Sequence, residues 1–251
     1  MQRYFVNSNQ IDENTGTIRI RDTDVHHIKN VLRLSVGDKL VCCDGDGADY
    51  RVEITGLEGE EVHCRIVAKT PSTGEPERLR VTVAPSLPKG DKMDWVLQKG
   101  TELGAFSFLP FSSIRTVVKL EGKKVSKKRE RWQRIVKEAA EQSCRGRIPQ
   151  VEPLMDWKGL IGRFADFDQV LFAYEKGGAP LARLLTERGP GSILVVVGPE
   201  GGFTDEETEE ARSAGADIVH LGPRILRAET APLALLSCIS YTFGEMGGEP
   251  L

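Results

Sequence analysis

The chain has 251 residues, of which 39% are hydrophobic, 28% charged and 6% aromatic, with a formal net charge of -3. This is the composition of a folded globular protein, which excludes disorder as the main state, and the length accommodates one or two domains. The longest apolar stretch, Pro232 to Phe243, falls well short of the roughly 18 residues that a spanning helix needs, so a membrane span is excluded and a buried helix is expected there.

The first ten residues hold Arg3 and no apolar run of the secretory kind, which points to the cytoplasm. Asp24 to Leu34 reads as a helix capped by Thr23 or Asp24, ending before the turn Ser35-Val36-Gly37-Asp38. Lys39–Asp44, Tyr50–Ile54 and Glu61–Val67 are β-rich runs separated by glycine turns, the pattern of a small barrel or meander. Residues 71–77, Pro-Ser-Thr-Gly-Glu-Pro-Glu, form the clearest linker and suggest domains at 1–72 and 73–251.

Beyond the linker, strands alternate with helices. Strands are expected at Leu79–Ala84, Phe106–Pro110, Val170–Tyr174, Ile193–Val197 and Asp217–Leu221, and helices at Asp91–Leu103, Lys127–Cys144 and Leu233–Phe243. Ile193–Val197 is apolar throughout, as a parallel strand covered on both faces would be, so the second domain is predicted to be α/β.

Twelve Lys/Arg against four Glu lie between Arg115 and Arg147, a local net charge of +8 in an otherwise acidic chain. A polyanionic partner or a solvated helix face would each account for it. The five cysteines, Cys42, Cys43, Cys64, Cys144 and Cys238, include no C-x-x-C spacing and read as reduced structural thiols. His26 and His27 diverge on a helix, so no metal site is expected on them.

The strand Ile193–Val197 runs directly into Gly198-Pro199-Glu200-Gly201-Gly202-Phe203-Thr204, and Thr204 with Glu207 fits a capping box for the helix that follows. A glycine turn between a strand's carboxyl end and a helix is where α/β folds bind ligands. The phosphate-binding templates G-x-G-x-x-G and Gly-Lys-Ser/Thr are missing, and Asp205, Glu206 and Glu207 would repel a phosphate; a neutral or cationic ligand suits the loop better, and a dinucleotide enzyme is disfavoured. The strand Asp217–Leu221 likewise ends in Gly222-Pro223-Arg224-Ile225-Leu226-Arg227-Ala228-Glu229-Thr230-Ala231-Pro232, a loop too apolar to lie free in water and therefore expected to line a ligand.

With Val195 to Thr204 and Leu221 to Ala231, the chain resembles the RsmE-type family of 16S ribosomal RNA methyltransferases, of the SPOUT class. The likeness extends to His27–Leu34, Gln98–Gly104 and Glu138–Arg145, five segments in the family's order. The resemblance implies an N-terminal PUA-like β-barrel, a C-terminal α/β SPOUT domain tied in a deep trefoil knot, a homodimer, and transfer of a methyl group from S-adenosylmethionine to N3 of a uridine in 16S rRNA of the small ribosomal subunit. It places the cofactor against Gly198, Pro199, Glu200, Gly201 and Gly202, against Leu221, Gly222, Arg224, Ile225, Leu226, Arg227, Glu229, Thr230 and Ala231, and against a third wall of Leu171, Ala173, Tyr174 and Glu175.

Adenine needs backbone donors and acceptors between apolar walls, which these segments offer. Carboxylates at Glu200, Glu229 or Glu175 would attract a sulfonium, an attraction that weakens as the methyl leaves, so they are assigned to binding rather than to rate. A neutral imide is a poor nucleophile, and a guanidinium against a uracil carbonyl would favour its anion. Arg145 and Arg227 are the candidates, with Gln142 reading the uracil edge; no residue is assigned as the proton acceptor. RNA phosphates are expected at Arg3, Arg21, Lys29, Arg33, Lys89, Lys92, Lys99, Lys123, Lys124 and Arg147. The competing reading is a ribosome-assembly factor of the same fold that binds RNA without methyl transfer.

Overall fold

The computed structural model describes residues 1–73, 75–76, 78–118, 120 and 122–247. Gly74 and Glu77 of the linker, and Lys119 and Glu121 of the basic run, lie outside the described residues. The chain divides into two compact units, Met1–Glu75 with Ala140–Ile148, and Pro76–Ala139 with Pro149–Leu251. The first unit's main segment ends at Glu75, and that unit also takes back Ala140–Ile148, the last residues of a long helix and the segment that follows it.

The first unit is built on β1 (Arg3–Phe5), β2 (Ile11–Asp12), β3 (Thr17–Ile20), α1 (Thr23–His26), β4 (Lys39–Cys43), β5 (Ala48–Gly56) and β6 (Val62–Pro71). Its six-stranded sheet has the order β1-β4-β5-β6-β3-β2, antiparallel except where β1 runs parallel to β4. Period-two alternation turns Ile18, Ile20, Leu40, Val52, Ile54 and Val62 into one core with Tyr4 and Tyr50. The expected helix over 24–34 is shorter: one α turn is followed by a widened turn, His27–Val31, in which the amide of Leu32 reaches His27 O at 2.9 Å. Val25 and Ile28 are buried while Val31 and Leu32 are exposed, so no apolar face remains to carry the helix further.

The second unit continues with β7 (Arg80–Pro85), α2 (Lys92–Glu102), β8 (Ser107–Phe108), β9 (Phe111–Ser112), α3 (Lys123–Gln142), β10 (Gln150–Val151), β11 (Met155–Asp156), α4 (Trp157–Ile161), β12 (Gln169–Ala173), β13 (Ala179–Pro180), α5 (Leu181–Arg188), β14 (Ser192–Val197), α6 (Asp205–Ser213), β15 (Asp217–His220) and α7 (Ala231–Thr242). Seven strands form a wholly parallel sheet in the order β10-β8-β7-β14-β12-β15-β13. Helices α2 and α7 pack together against β7 and β14. Phe111, Trp157, Phe172 and Phe203 form a second cluster, with the Phe172 and Phe203 rings 4.2 Å apart. Such burial on both faces explains the unbroken apolar run Ile193–Val197 of β14. The capping box is formed: Thr204 Oγ1 accepts from Glu207 N at 3.0 Å, and Glu207 Oε2 accepts from Thr204 N at 2.9 Å. Pro232 stands in the first turn of α7.

Strand boundaries move by at most two residues from expectation except at the end of β6, which runs four residues past Val67 to Pro71, and α4 and α5 and the short strands β1, β2, β3, β9, β10, β11 and β13 had no legible signal. Strands of two to four residues have too few alternations to declare themselves.

Candidate functional site

The order β14-β12-β15 places three parallel strands side by side, so the loops after them meet at one edge of the sheet. These loops enclose a cavity of about 520 Å³ lined by Ala173, Tyr174 and Glu175 after β12, by Val197–Phe203 after β14, and by Val219–Ala228 with Ala231 after β15. Lys92, from the start of α2, completes the lining. Of the expected cofactor residues, Leu171 is fully buried within β12 rather than on the wall. Glu229 and Thr230 stand beside the wall: Glu229 is ion-paired to Lys92, and Thr230 caps α7.

The glycines have steric reasons. Gly202 has φ +66°, and a Cβ there would lie 2.9 Å from Glu175 Oε1. A Cβ on Gly198 would press on the Phe203 ring at 3.0 Å. Arg115 steadies the loop from outside: its Nη1 donates to Gly201 O at 2.8 Å and to Phe203 O at 3.1 Å. The acidic start of α6 is less repulsive than it reads, because Glu207 is fully buried and accepts from Ile114 N at 2.8 Å, while Asp205 accepts from Lys176 Nζ and the Tyr174 hydroxyl.

Lys92 joins two loops. Its Nζ donates to Glu200 Oε1 at 2.9 Å and lies 3.3 Å from Glu229 Oε2, while Lys89 N donates to Glu200 Oε1 at 3.1 Å. The hydrogen bond to Glu200 chiefly holds the ammonium above its ordinary pKa. Burial pushes the Glu200 carboxyl up, and the bonds it accepts from Lys92 and from backbone amides outweigh that, leaving it below the usual range. Glu229 Oε2 is buried and receives no well-directed hydrogen bond. A cleft walled by glycine backbone and by Ile225 and Leu226, with the carboxylates of Glu175 and Glu200 in its lining, fits an adenosine carrying a cationic sulfur.

The expected uracil-facing residues are divided between the two units. Arg227 is exposed on the cavity wall. Gln142 is exposed at the end of α3. Arg145 belongs to the first unit, is 4% exposed, and grips Glu75 with two bonds, Nε to Oε1 at 3.0 Å and Nη2 to Oε2 at 2.6 Å. The chain reaches this geometry because Cys144, at φ +59°, ends α3 in a left-handed turn: Arg145 N bonds Ala140 O at 2.9 Å and Cys144 N bonds Glu141 O at 3.4 Å.

Several expected RNA contacts are otherwise engaged. Arg3 is buried against Asp49, donating at 2.7 and 3.1 Å, and also bonds Arg145 O at 3.1 Å. Arg21 pairs with Glu61, Lys29 donates to Gly59 O, and Lys99 to Glu102. Lys92 turns from the RNA set to the cavity. Arg33, Lys89, Lys123 and Lys124 remain exposed, and Arg147 is half-buried. Among the described residues no cluster of His, Cys, Asp and Glu is arranged to hold a metal ion, and no helix is long and apolar enough to cross a membrane. Arg115 and His220 were not legible as site residues and Lys92 was expected only at RNA, since nothing in local spacing brings α2 or the segment after β9 to the glycine loop.

Residues 75–240 match the model of an RNA methyltransferase domain, and residues 20–67 that of an RNA methyltransferase PUA domain. The ribosomal RNA small subunit methyltransferase E of Bacillus subtilis is 44% identical over 96% of each chain. That of Synechocystis is 35% identical over 95% of this chain and 77% of its own. A crystal structure of the enzyme of the same name from Neisseria gonorrhoeae, bound to S-adenosyl methionine, superposes with a TM-score of 0.86 at 32% identity, covering 96% of this chain and 97% of that one.

Proposed function

Because the chain belongs to the RNA methyltransferase family, with its PUA domain, we propose that it is an S-adenosylmethionine-dependent methyltransferase acting on N3 of a uridine in 16S rRNA of the small ribosomal subunit. The observation that carries the reading is the glycine-walled cavity at the carboxyl edge of β14, β12 and β15, on a chain whose like-folded relative binds that cofactor. The bound cofactor in that relative also favours an enzyme over an assembly factor of the same fold.

In this reading the loops Gly198–Gly202 and Leu221–Ala231 and the segment Ala173–Glu175 hold the cofactor. S-adenosylmethionine, when bound, supplies a methyl group activated by a cationic sulfur. The backbone of the glycine loop approaches the ligand closely because no side chain intervenes, and Ile225 and Leu226 supply apolar wall. Arg227 directs its guanidinium to a uracil carbonyl and so favours the deprotonated imide. The engagement of Arg145 with Glu75 supports a holding role for it, leaving Arg227 as the guanidinium for the base. Arg33, Lys89, Lys123 and Lys124 bind RNA phosphates, giving affinity that falls steeply with salt, while RNA shape and a splayed-out uridine supply the specificity. Residues 1–72 serve as the RNA-binding module and 73–251 as the catalytic one, the latter tied in the trefoil knot of its class, in a cytoplasmic homodimer.

The test is transfer of labelled methyl from S-adenosylmethionine to small ribosomal subunits lacking the modification, followed by nucleoside analysis. Label in N3-methyluridine is expected; tight subunit binding without label would establish the assembly-factor alternative instead.

A further inference from the structure

The cavity carries one cation that its loops did not announce. Lys92 comes from the start of α2, yet its ammonium sits between a carboxylate of the loop after β14 and a carboxylate of the loop after β15. All three side chains are half-buried. One ammonium facing two carboxylates leaves the group with a net charge of one unit rather than two, in a cleft where solvent screens charge incompletely. The sharing is unequal: Glu200 takes a directed bond at 2.9 Å, while Glu229 stands at 3.3 Å with Oε2 lacking a well-directed donor.

We propose that Lys92 is a positioning residue that holds the two loops together and screens Glu200 and Glu229, so that the cavity favours a cationic sulfonium over a neutral thioether less strongly than two bare carboxylates would. The inference rests on the methyltransferase reading above and extends it to the balance between cofactor and product. Its chemical reason is that attraction between a carboxylate and a sulfonium is present before transfer and lost as the methyl leaves. Unscreened carboxylates would therefore deepen the ground state and raise the barrier. Lys92 limits that penalty, and it leaves Glu229 incompletely paired. Lys92 is already engaged by Glu200, whose carboxyl is correspondingly held below the usual range.

The discriminating measurement is calorimetric binding of S-adenosylmethionine and of S-adenosylhomocysteine, the neutral thioether left after transfer, to the full chain and to Lys92→Met and Lys92→Arg. Removing the ammonium is expected to shift the affinity ratio toward S-adenosylmethionine by roughly fivefold, the order expected of one unit charge in a partly solvated site. Lys92→Arg should keep the wild-type ratio. Carboxyl titration of the ligand-free Lys92→Met protein should find Glu200 moved upward. If Lys92→Met weakens both ligands equally, or shifts the ratio the other way, Lys92 is only a structural tie and the proposal falls. Should Lys92→Met not fold, Lys92→Gln removes the same charge with a polar side chain and is read by the same ratio. Wild-type protein that bound neither ligand would overturn the methyltransferase reading itself, an outcome distinct from binding of both with an unmoved ratio.

Discussion

In the first unit the charged side chains close on one another: Arg3 onto Asp49, Arg145 onto Glu75, Arg21 onto Glu61. In the second, the chain brings Lys92, Glu200 and Glu229 to the rim of an open cavity and leaves one carboxylate oxygen incompletely satisfied. Two regions with similar inventories of charge thus spend it differently. A bidentate arginine with little exposure is held by its partner and has few donors left to offer, whereas a lysine shared between two half-buried carboxylates is poised to respond to a ligand's charge. Buried, bidentate pairing, as at Arg3 and Arg145, marks structure here, and part-buried, unequally shared charge marks a site.

The largest expected break comes from Gly202→Asp. Its left-handed backbone angle, the approach to Glu175 and the added negative charge should together weaken S-adenosylmethionine binding by at least about a thousandfold. Far-ultraviolet circular dichroism should stay unchanged, and normal affinity would mean that the cofactor lies elsewhere. Arg145→Ala is the converse experiment: it strands Glu75 and should cost about 3 kcal/mol of stability in a denaturant titration. Little loss of stability with a large loss of methyl transfer would return Arg145 to the role of uracil contact.

The thiols sharpen the same contrast. Cys42, Cys43 and Cys64 are buried in the first unit, whereas Cys144 and Cys238 are exposed, so a native thiol assay should count two fast-reacting groups and a denatured one five. Burial pushes the Cys64 thiol up from about 9 to about 12. A group whose folded pKa is raised stabilises the fold fully below its unfolded pKa, and that contribution is lost as pH rises toward the folded value. Unfolding midpoints should accordingly fall between about pH 9 and pH 12, and Cys64→Ala should flatten that slope. The smallest effect concerns Cys144, which occupies a left-handed position that glycine adopts without strain; Cys144→Gly should stabilise the protein by about 1 kcal/mol in the same titration.

Much of the second unit was legible because its signals are local. An apolar run of five residues, a glycine loop and a capping box lie within fifteen positions of one another, and each declares its structure through spacing alone. The first unit was less legible: β1 is three residues long and pairs with a strand far along the chain, and the expected helix at 24–34 stops where its buried face ends. The prolines at 71–77 suggest a boundary, but nothing local signals the return of Ala140–Ile148 to the first unit, which depends on a left-handed cysteine and a glutamate 70 positions from Arg145.

The sequence by itself determined the parallel α/β unit, the two ligand loops and their family likeness, since periodicity, glycine placement and motif order are properties of neighbouring residues. Only the tertiary structure decided that Lys92 meets Glu200 across 108 positions and that Arg3 is sealed inside the first unit. Composition offers each cation many carboxylates, and which one it pairs with follows from the closure of long loops and the packing of the elements that carry them.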